Sequence, residues 1–346
     1  MGVERKIHYQ PERNEQLSGK ISPLLRKTGS DLNDRYEPVF HIHTFVEEDH
    51  MTDSKRFAYK NPKPRCGGNL KTRWNYTEPA YRMAPHVWNV GGQDDVSAYL
   101  LDSGEGLILI DTGYEDTLYL LIDHIWRIGY DPADIKKILL SHYHGDHSQG
   151  ARLIQEMAGG KENCEIWLSE ADEINHQRTK DETVPMEVLP YEVTNFYDPQ
   201  EPIMLGRFVI RTRLTPGHTW GATSFFFDDT DEETGKTYHC AMHGGLGTAM
   251  MKPGTQRMEH ELMTPEGAFR FIRDCLELAE MDVDINLPSH LNQANLDENL
   301  PEDLNDYTWF VNDYSWHDML VNRAEEVMSY YPEIYPDLVR TIPTLK

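Results

Sequence analysis

Several things are scarce or missing in this sequence, and each excludes something. Cysteine is scarce. Cys66, Cys164, Cys240 and Cys275 stand far apart with no Cys-x-x-Cys pair. That spacing gives no disulfide framework and no thiolate zinc knuckle, and a reducing, cytoplasmic compartment is expected. No apolar run reaches the roughly 18 residues that a spanning helix needs. The opening residues Met1 to Lys6 are charged, without the apolar stretch of a secretory signal, and Lys6 stands where a myristoylation signal carries Ser or Thr. Basic residues are outnumbered, 33 Lys and Arg against 58 Asp and Glu, for a formal charge of −25. Such a chain repels nucleic acid and anionic membrane, so a small-molecule substrate is the expected partner.

The 346 residues, 39% hydrophobic and 10% aromatic, suffice for one large folded domain with additions or for two domains. Residues 1–85 are polar, charged and rich in Pro and Gly, and read as an arm that cannot build a core alone. Such an arm can pack on its own catalytic domain or embrace a second copy, and the second case would make a homodimer. Within it Val39 to Val46 alternates like one strand, and His41-x-His43 reads as strand histidines. Residues 86–299 carry alternating strand and helix patterns. Val96–Leu101 and Gly106–Ile110 read as a hairpin pair. Thr117–Ile128 reads as a helix with Asp116 as N-cap and Gly129 at its end, and Thr264–Leu278 as a helix capped by Thr264 with Pro265 in its first turn. Residues 177–200 read as an inserted loop. Residues 300–346 form a C-terminal helical extension, with Phe310, Tyr314 and His317 at helical spacing.

The densest chemistry is Ser141-His142-Tyr143-His144-Gly145-Asp146-His147, delivered by the apolar strand Ile135–Leu140. Alternation places His142 and His144 on one side of the strand end, and a turn brings Asp146 and His147 in from another direction. Imidazole and carboxylate without thiolate suit zinc first, with iron or manganese as alternatives, and the arrangement suits two ions better than one. Two further histidines also follow strands: His218 after Pro216-Gly217 and His290 after Pro288-Ser289.

Together Asp111-Thr112-Gly113 after an apolar strand, His142-x-His144-x-Asp146-His147, Pro216-Gly217-His218-Thr219 and the strand-end His290 resemble the metallo-β-lactamase superfamily over residues 86–295. The resemblance implies an α/β fold, an αββα sandwich with metals at one edge. It implies His142, His144 and His218 on a first ion, Asp146, His147 and His290 on a second, and Asp111 ordering the motif loop by hydrogen bonds. Many relatives carry a bridging Asp after the strand that follows the His218 equivalent. Here that region is His239-Cys240-Ala241-Met242-His243-Gly244-Gly245-Leu246-Gly247, without Asp. The pattern is most similar to the β-lactamase-like subclass with five histidines, one Asp and no ligand cysteine.

The function implied is a dinuclear zinc hydrolase that uses a metal-bound hydroxide on a small cyclic or aryl-bearing molecule, with Asp146 also acting in catalysis. β-Lactamase or lactonase activity proper, dehalogenase-type substitution, an iron-dependent redox relative and a non-catalytic binder are the alternatives. Trp220 is a candidate wall of the cleft, and His243 a candidate for substrate contact.

Overall fold

The computed structural model describes residues 55–59, 70–179 and 188–335. The expected strand at 39–46, with His41 and His43, lies outside the described residues, as does Cys66.

The first sheet is β1 (Tyr81–Ala84), β2 (Val87–Asn89), β3 (Tyr99–Asp102), β4 (Leu107–Ile110), β5 (Ile135–Leu139), β6 (Glu165–Leu168) and β7 (Asn195–Phe196), side by side in that order. β1 to β4 form an antiparallel meander, with Tyr99 opposite Ile110 and Leu101 opposite Ile108. β4 to β7 run parallel, because helices carry the chain back between them. The second sheet runs in the order β12 (Ile285–Asn286), β11 (Thr237–Met242), β10 (Thr223–Thr230), β9 (Phe208–Leu214) and β8 (Ile203–Leu205).

Alternation along the strands defines three apolar layers. Leu101, Ile108, Ile110 and Leu139 face inward and meet Phe208, Ile210, Phe225, Phe227 and Met242 of the second sheet. Leu100, Leu109, Ile138, Ile166 and Leu168 face outward onto α1 (Leu118–Arg127) and α3 (Ala151–Met157). On the far side, α6 (Pro265–Leu278) and α7 (Ser315–Ser329) pack together over the second sheet through Phe271, Ile272, Cys275, Leu320 and Val327. Helix, sheet, sheet, helix is the αββα sandwich that the superfamily resemblance implies. The described cysteines Cys164, Cys240 and Cys275 are free and buried in these layers. No described helix is long and apolar enough to cross a membrane.

Some local expectations need correction. Asp116 does not cap α1. A short 3-10 turn, Glu115–Thr117, precedes the helix, and Asp116 instead accepts a hydrogen bond from Arg73 at 2.5 Å. Gly129 does take a positive φ, 94°, after the end of α1, where a β-carbon would be strained. Residues 177–200 are not wholly loop: α4 (Glu170–Thr179) continues into them and β7 completes the first sheet, while 180–187 lie outside the described residues. The sheet also begins earlier than the expected arm ends, at Tyr81. Phe310, Tyr314 and His317 do not share one helix. Phe310 ends a 3-10 turn (Tyr307–Phe310), and Asn312 Oδ1 then accepts from the Tyr314 and Ser315 amides, so α7 starts only at Ser315.

Thr264 caps α6 as expected. Its side chain accepts from the Gly267 amide, and Pro265 occupies the first turn, where its missing N–H costs nothing.

Candidate metal centre

Loops at one edge of both sheets converge on the histidines. β5 ends at Leu139, and the chain passes Ser141 to His144 before a single helical turn, α2 (Gly145–Ser148), turns Asp146 and His147 inward. Asp111 holds this loop in shape. Its Oδ1 accepts from the Ser141 amide and its Oδ2 from the Ser141 hydroxyl, both at 2.7 Å. Asp111 itself sits at φ 60°, a conformation that non-glycine residues adopt at a cost and that fits a position fixed by function.

The six expected ligands are brought together. Donor atoms of His142, His144 and His218 lie within 4.8 Å of one another, and so do those of His142, Asp146 and His147. His290 joins the second group: its Nε2 is 3.3 Å from Nε2 of His147 and 3.8 Å from Oδ2 of Asp146. His142 stands between the two groups, its ring centroid 4.2 Å from that of His147 and 4.6 Å from that of His218.

Each of the five rings has its other nitrogen facing an acceptor, which fixes the tautomer, since a carbonyl or carboxylate oxygen cannot donate. His142 Nδ1–H donates to the Gly244 carbonyl and His218 Nδ1–H to the Gly247 carbonyl, both at 2.9 Å. His147 Nδ1–H donates to Asp111 Oδ2, and His290 Nδ1–H to Asp95 Oδ1, both at 2.8 Å. His144 is reversed: Nε2–H donates to Glu261 Oε1 at 3.1 Å. Four rings therefore offer Nε2 to the centre, and His144 offers Nδ1.

That arrangement fits divalent metal. His144 Nδ1 and His218 Nε2 face each other at 3.0 Å with no proton assigned between them. His142 Nε2 is buried without a hydrogen-bond partner among the described residues. Neutral rings would turn lone pairs on one another here. Two nitrogens on one tetrahedral zinc, each about 2.0–2.1 Å from it, lie about 3.3 Å apart, so a shared cation accounts for the spacing. Burial, reinforced by the neighbouring imidazoles, holds the pKa of His142 and of His218 well below the usual histidine range and keeps both rings as neutral donors.

Asp172 of α4 ties the two ligand loops together. It accepts from the Tyr143 amide at 3.2 Å and, at 2.8 Å, from both the Thr219 hydroxyl and the Gly221 amide. Burial is the main cause that raises its pKa, to about 6.

Trp220 is half-buried. Its indole N–H donates to the Leu262 carbonyl at 3.0 Å, and its ring rests beside Gly267. His243 joins neither ligand group. It is buried edge-on to Phe271, its Nδ1 accepts from the Gly245 amide, and burial pushes its pKa down to about 3. Sequence reasoning missed Asp95, Asp172 and Glu261, which no motif marks. It also missed the carbonyls of Gly244 and Gly247, for which the glycine density of 244–247 was the available signal.

The profile of the metallo-beta-lactamase superfamily matches residues 91–231. Over that stretch the chain matches the metallo-β-lactamase superfamily. A probable metallo-hydrolase of Streptococcus pyogenes serotype M6 is 28% identical over 137 residues, 38% of this chain and 56% of that protein, so the match spans little more than half of the relative's length. Among solved structures, the metallo-β-lactamase GOB-18 from Elizabethkingia meningoseptica superposes with a TM-score of 0.64 at 25% identity, covering 81% of this chain and 98% of that one. The native metallo-β-lactamase FEZ-1 from Legionella gormanii gives 0.63 at 24%, covering 75% and 97%. BJP-1 of Bradyrhizobium japonicum, a subclass B3 metallo-β-lactamase, gives 0.64 at 18%, covering 79% and 99%. The latter two likenesses, at lower identity, speak for the shared fold.

Proposed function

We propose that this chain is a metallohydrolase of the metallo-β-lactamase superfamily. His142, His144 and His218 would hold one divalent ion and Asp146, His147 and His290 a second, with zinc the metal that the donor set favours. The observation that carries the reading is the facing pair His144 Nδ1 and His218 Nε2, 3.0 Å apart, each ring with its other nitrogen committed to an acceptor. When bound, such ions polarise a carbonyl and acidify water near neutral pH.

The chain's own residues supply the rest. Three neutral imidazoles leave the charge of the first ion uncompensated, while Asp146 offsets part of the second. Asp146 is 2% exposed, with Oδ2 within 3.9 Å of Nε2 of both His147 and His290. Its other oxygen can orient a water proton. Asp111 and Asp95 keep His147 and His290 in their donor tautomers through the reaction. Half-buried Trp220 and exposed Leu262, joined by their hydrogen bond, flank the loops that carry His218 and Glu261. An apolar rim of that kind supports a small cyclic or aryl-bearing substrate. β-Lactam hydrolysis is the second reading, favoured by the likeness to GOB-18.

Elemental analysis of the purified protein, with turnover assays on β-lactams, lactones, aryl esters and halogenated aryl compounds, tests both readings. Two zinc ions per chain and chelator-sensitive hydrolysis are expected. Full activity in metal-free protein would overturn the proposal, and turnover of a chromogenic cephalosporin would select the second reading.

A further inference from the structure

Glu261 reaches the cluster from a segment that belongs to none of the ligand loops. It follows α5 (Gln256–His260), between the second sheet and α6. Its side chain is only 4% exposed. Oε1 accepts from His144 Nε2 at 3.1 Å and from His260 Nδ1 at 3.0 Å, and Oε2 accepts from the Tyr143 hydroxyl at 2.8 Å. The carboxylate thus grips His144 and the residue before it.

The segment is itself anchored. Arg178 of α4 donates to the His260 carbonyl at 2.8 Å, and Trp220, two residues beyond His218, donates to the Leu262 carbonyl at 3.0 Å. Leu262 adopts φ 54° and is 59% exposed. A leucine in the left-handed region is strained by about 1–2 kcal/mol, and the surrounding bonds hold it there. The strained turn points Leu262 outward and leaves Glu261 facing in.

The ring nitrogens behind the first group are otherwise backed by neutral carbonyls, of Gly244 for His142 and Gly247 for His218. His144 alone of the three is backed by a carboxylate, and it alone presents Nδ1.

We propose that Glu261 is a positioning residue for the three-histidine site: it holds His144 in the Nε2–H tautomer, so that Nδ1 is the atom offered to metal, and it sets that site's affinity. This rests on the reading of the cluster as a metal centre. A carboxylate behind an imidazole raises the ring's basicity as well as fixing its orientation, and removing such a partner typically weakens a metal site about 10- to 100-fold.

Two variants separate charge from packing. Glu261→Gln keeps an acceptor for His144 and drops the charge, whereas Glu261→Leu removes both at similar size. Competitive zinc titration should show one of two sites weakened about 10- to 100-fold in Glu261→Leu, less in Glu261→Gln, with the other site unchanged. Cobalt(II) substitution should change the visible spectrum of the weakened site alone.

A second readout needs neither metal nor variant. Long-range proton–nitrogen correlation spectra of the metal-free wild-type protein, at about pH 8 where histidine is neutral, should give His144 as Nε2–H and His142, His147, His218 and His290 as Nδ1–H. Tyr143→Phe, which leaves the His144 bond in place, should preserve that pattern. The proposal is overturned if wild-type His144 carries its proton on Nδ1, or if Glu261→Leu weakens both sites equally or neither. A wild-type protein that binds no zinc would defeat the metal reading, while the His144 tautomer would still decide the role of Glu261.

Discussion

Asp95 Oδ1 accepts from His290 Nδ1 at 2.8 Å, while Oδ2 of the same carboxylate accepts from the Tyr114 hydroxyl at 2.7 Å. Asp95 and His290 are nearly 200 residues apart in sequence and meet because the chain pairs there: Val96 bridges His290, and the Leu291 amide donates to the Asp95 carbonyl. The Arg73 guanidinium lies 3.8 Å over the Tyr114 ring. A residue well before the first sheet strand therefore packs on the group that braces a candidate ligand.

Asp95→Asn should weaken binding at the site of Asp146, His147 and His290 by about 10- to 100-fold, because the amide loses the charge behind His290. Tyr114→Phe should act in the same direction and more weakly, since the carboxylate stays. Competitive zinc titration of the two variants checks this. An unchanged second site in Asp95→Asn would show that the carboxylate does not tune His290.

Gly247 tests the carbonyl backing. A β-carbon there would lie 2.6 Å from both Cε1 and Nδ1 of His218, and its φ is not in the left-handed region, so space and not backbone conformation demands glycine. Gly247→Ala should push the imidazole off its position and weaken the three-histidine site. Overpacking of this kind also costs about 1–3 kcal/mol of stability. Zinc stoichiometry and urea unfolding of the variant measure the two effects separately.

These glycines show where the sequence was legible and where it was not. The fold and the six candidate ligands came with the superfamily resemblance, and that resemblance could be seen because its motifs are local: an apolar strand, then histidines and Asp146 in turns. The stretch 239–247 was read for the Asp it lacks, yet its contribution is the backbone oxygens of Gly244 and Gly247, which no side-chain pattern encodes. Asp95, Asp172 and Glu261 were illegible for a different reason. Each acts across a long sequence separation, and nothing local distinguishes them from the many acidic residues of a chain at −25. His243 shows the same limit, because a histidine at a strand end looks the same in sequence whether it faces a site or, as here, the edge of Phe271.

Asp172 predicts a pH dependence of stability. Burial raises its folded pKa to about 6, against 3.8 for an ordinary aspartate. The native state therefore binds a proton more readily than the unfolded chain between these values, and stability from this group is fully present below about pH 4 and falls as pH rises through 6. Asp172→Asn removes that slope and also disturbs the bonds to Tyr143, Thr219 and Gly221. The variant should be less stable than wild type at pH 4.5, with the gap narrowing towards pH 7. Thermal unfolding in excess chelator, so that competition between protons and metal does not contribute, reads the gap directly. A gap that widens with rising pH would contradict the raised pKa.

Removing metal should cost stability as well as activity. With each ring's outer nitrogen committed, His144 Nδ1 faces His218 Nε2 at 3.0 Å, and His142 Nε2 is buried without a partner among the described residues. A proton offers poor relief, because burial and the neighbouring rings hold the pKa of His142 and of His218 well below the usual value. A bound ion relieves both strains and stabilises the fold by mass action, about 4 kcal/mol per site at a free concentration near 1,000 times its Kd. Chelation should therefore lower Tm by several degrees, and zinc should restore it. In His142→Ala, which removes the ring standing between the two groups, the chelator-induced drop should shrink markedly. An equal drop in that variant would place the stabilising metal elsewhere in the protein.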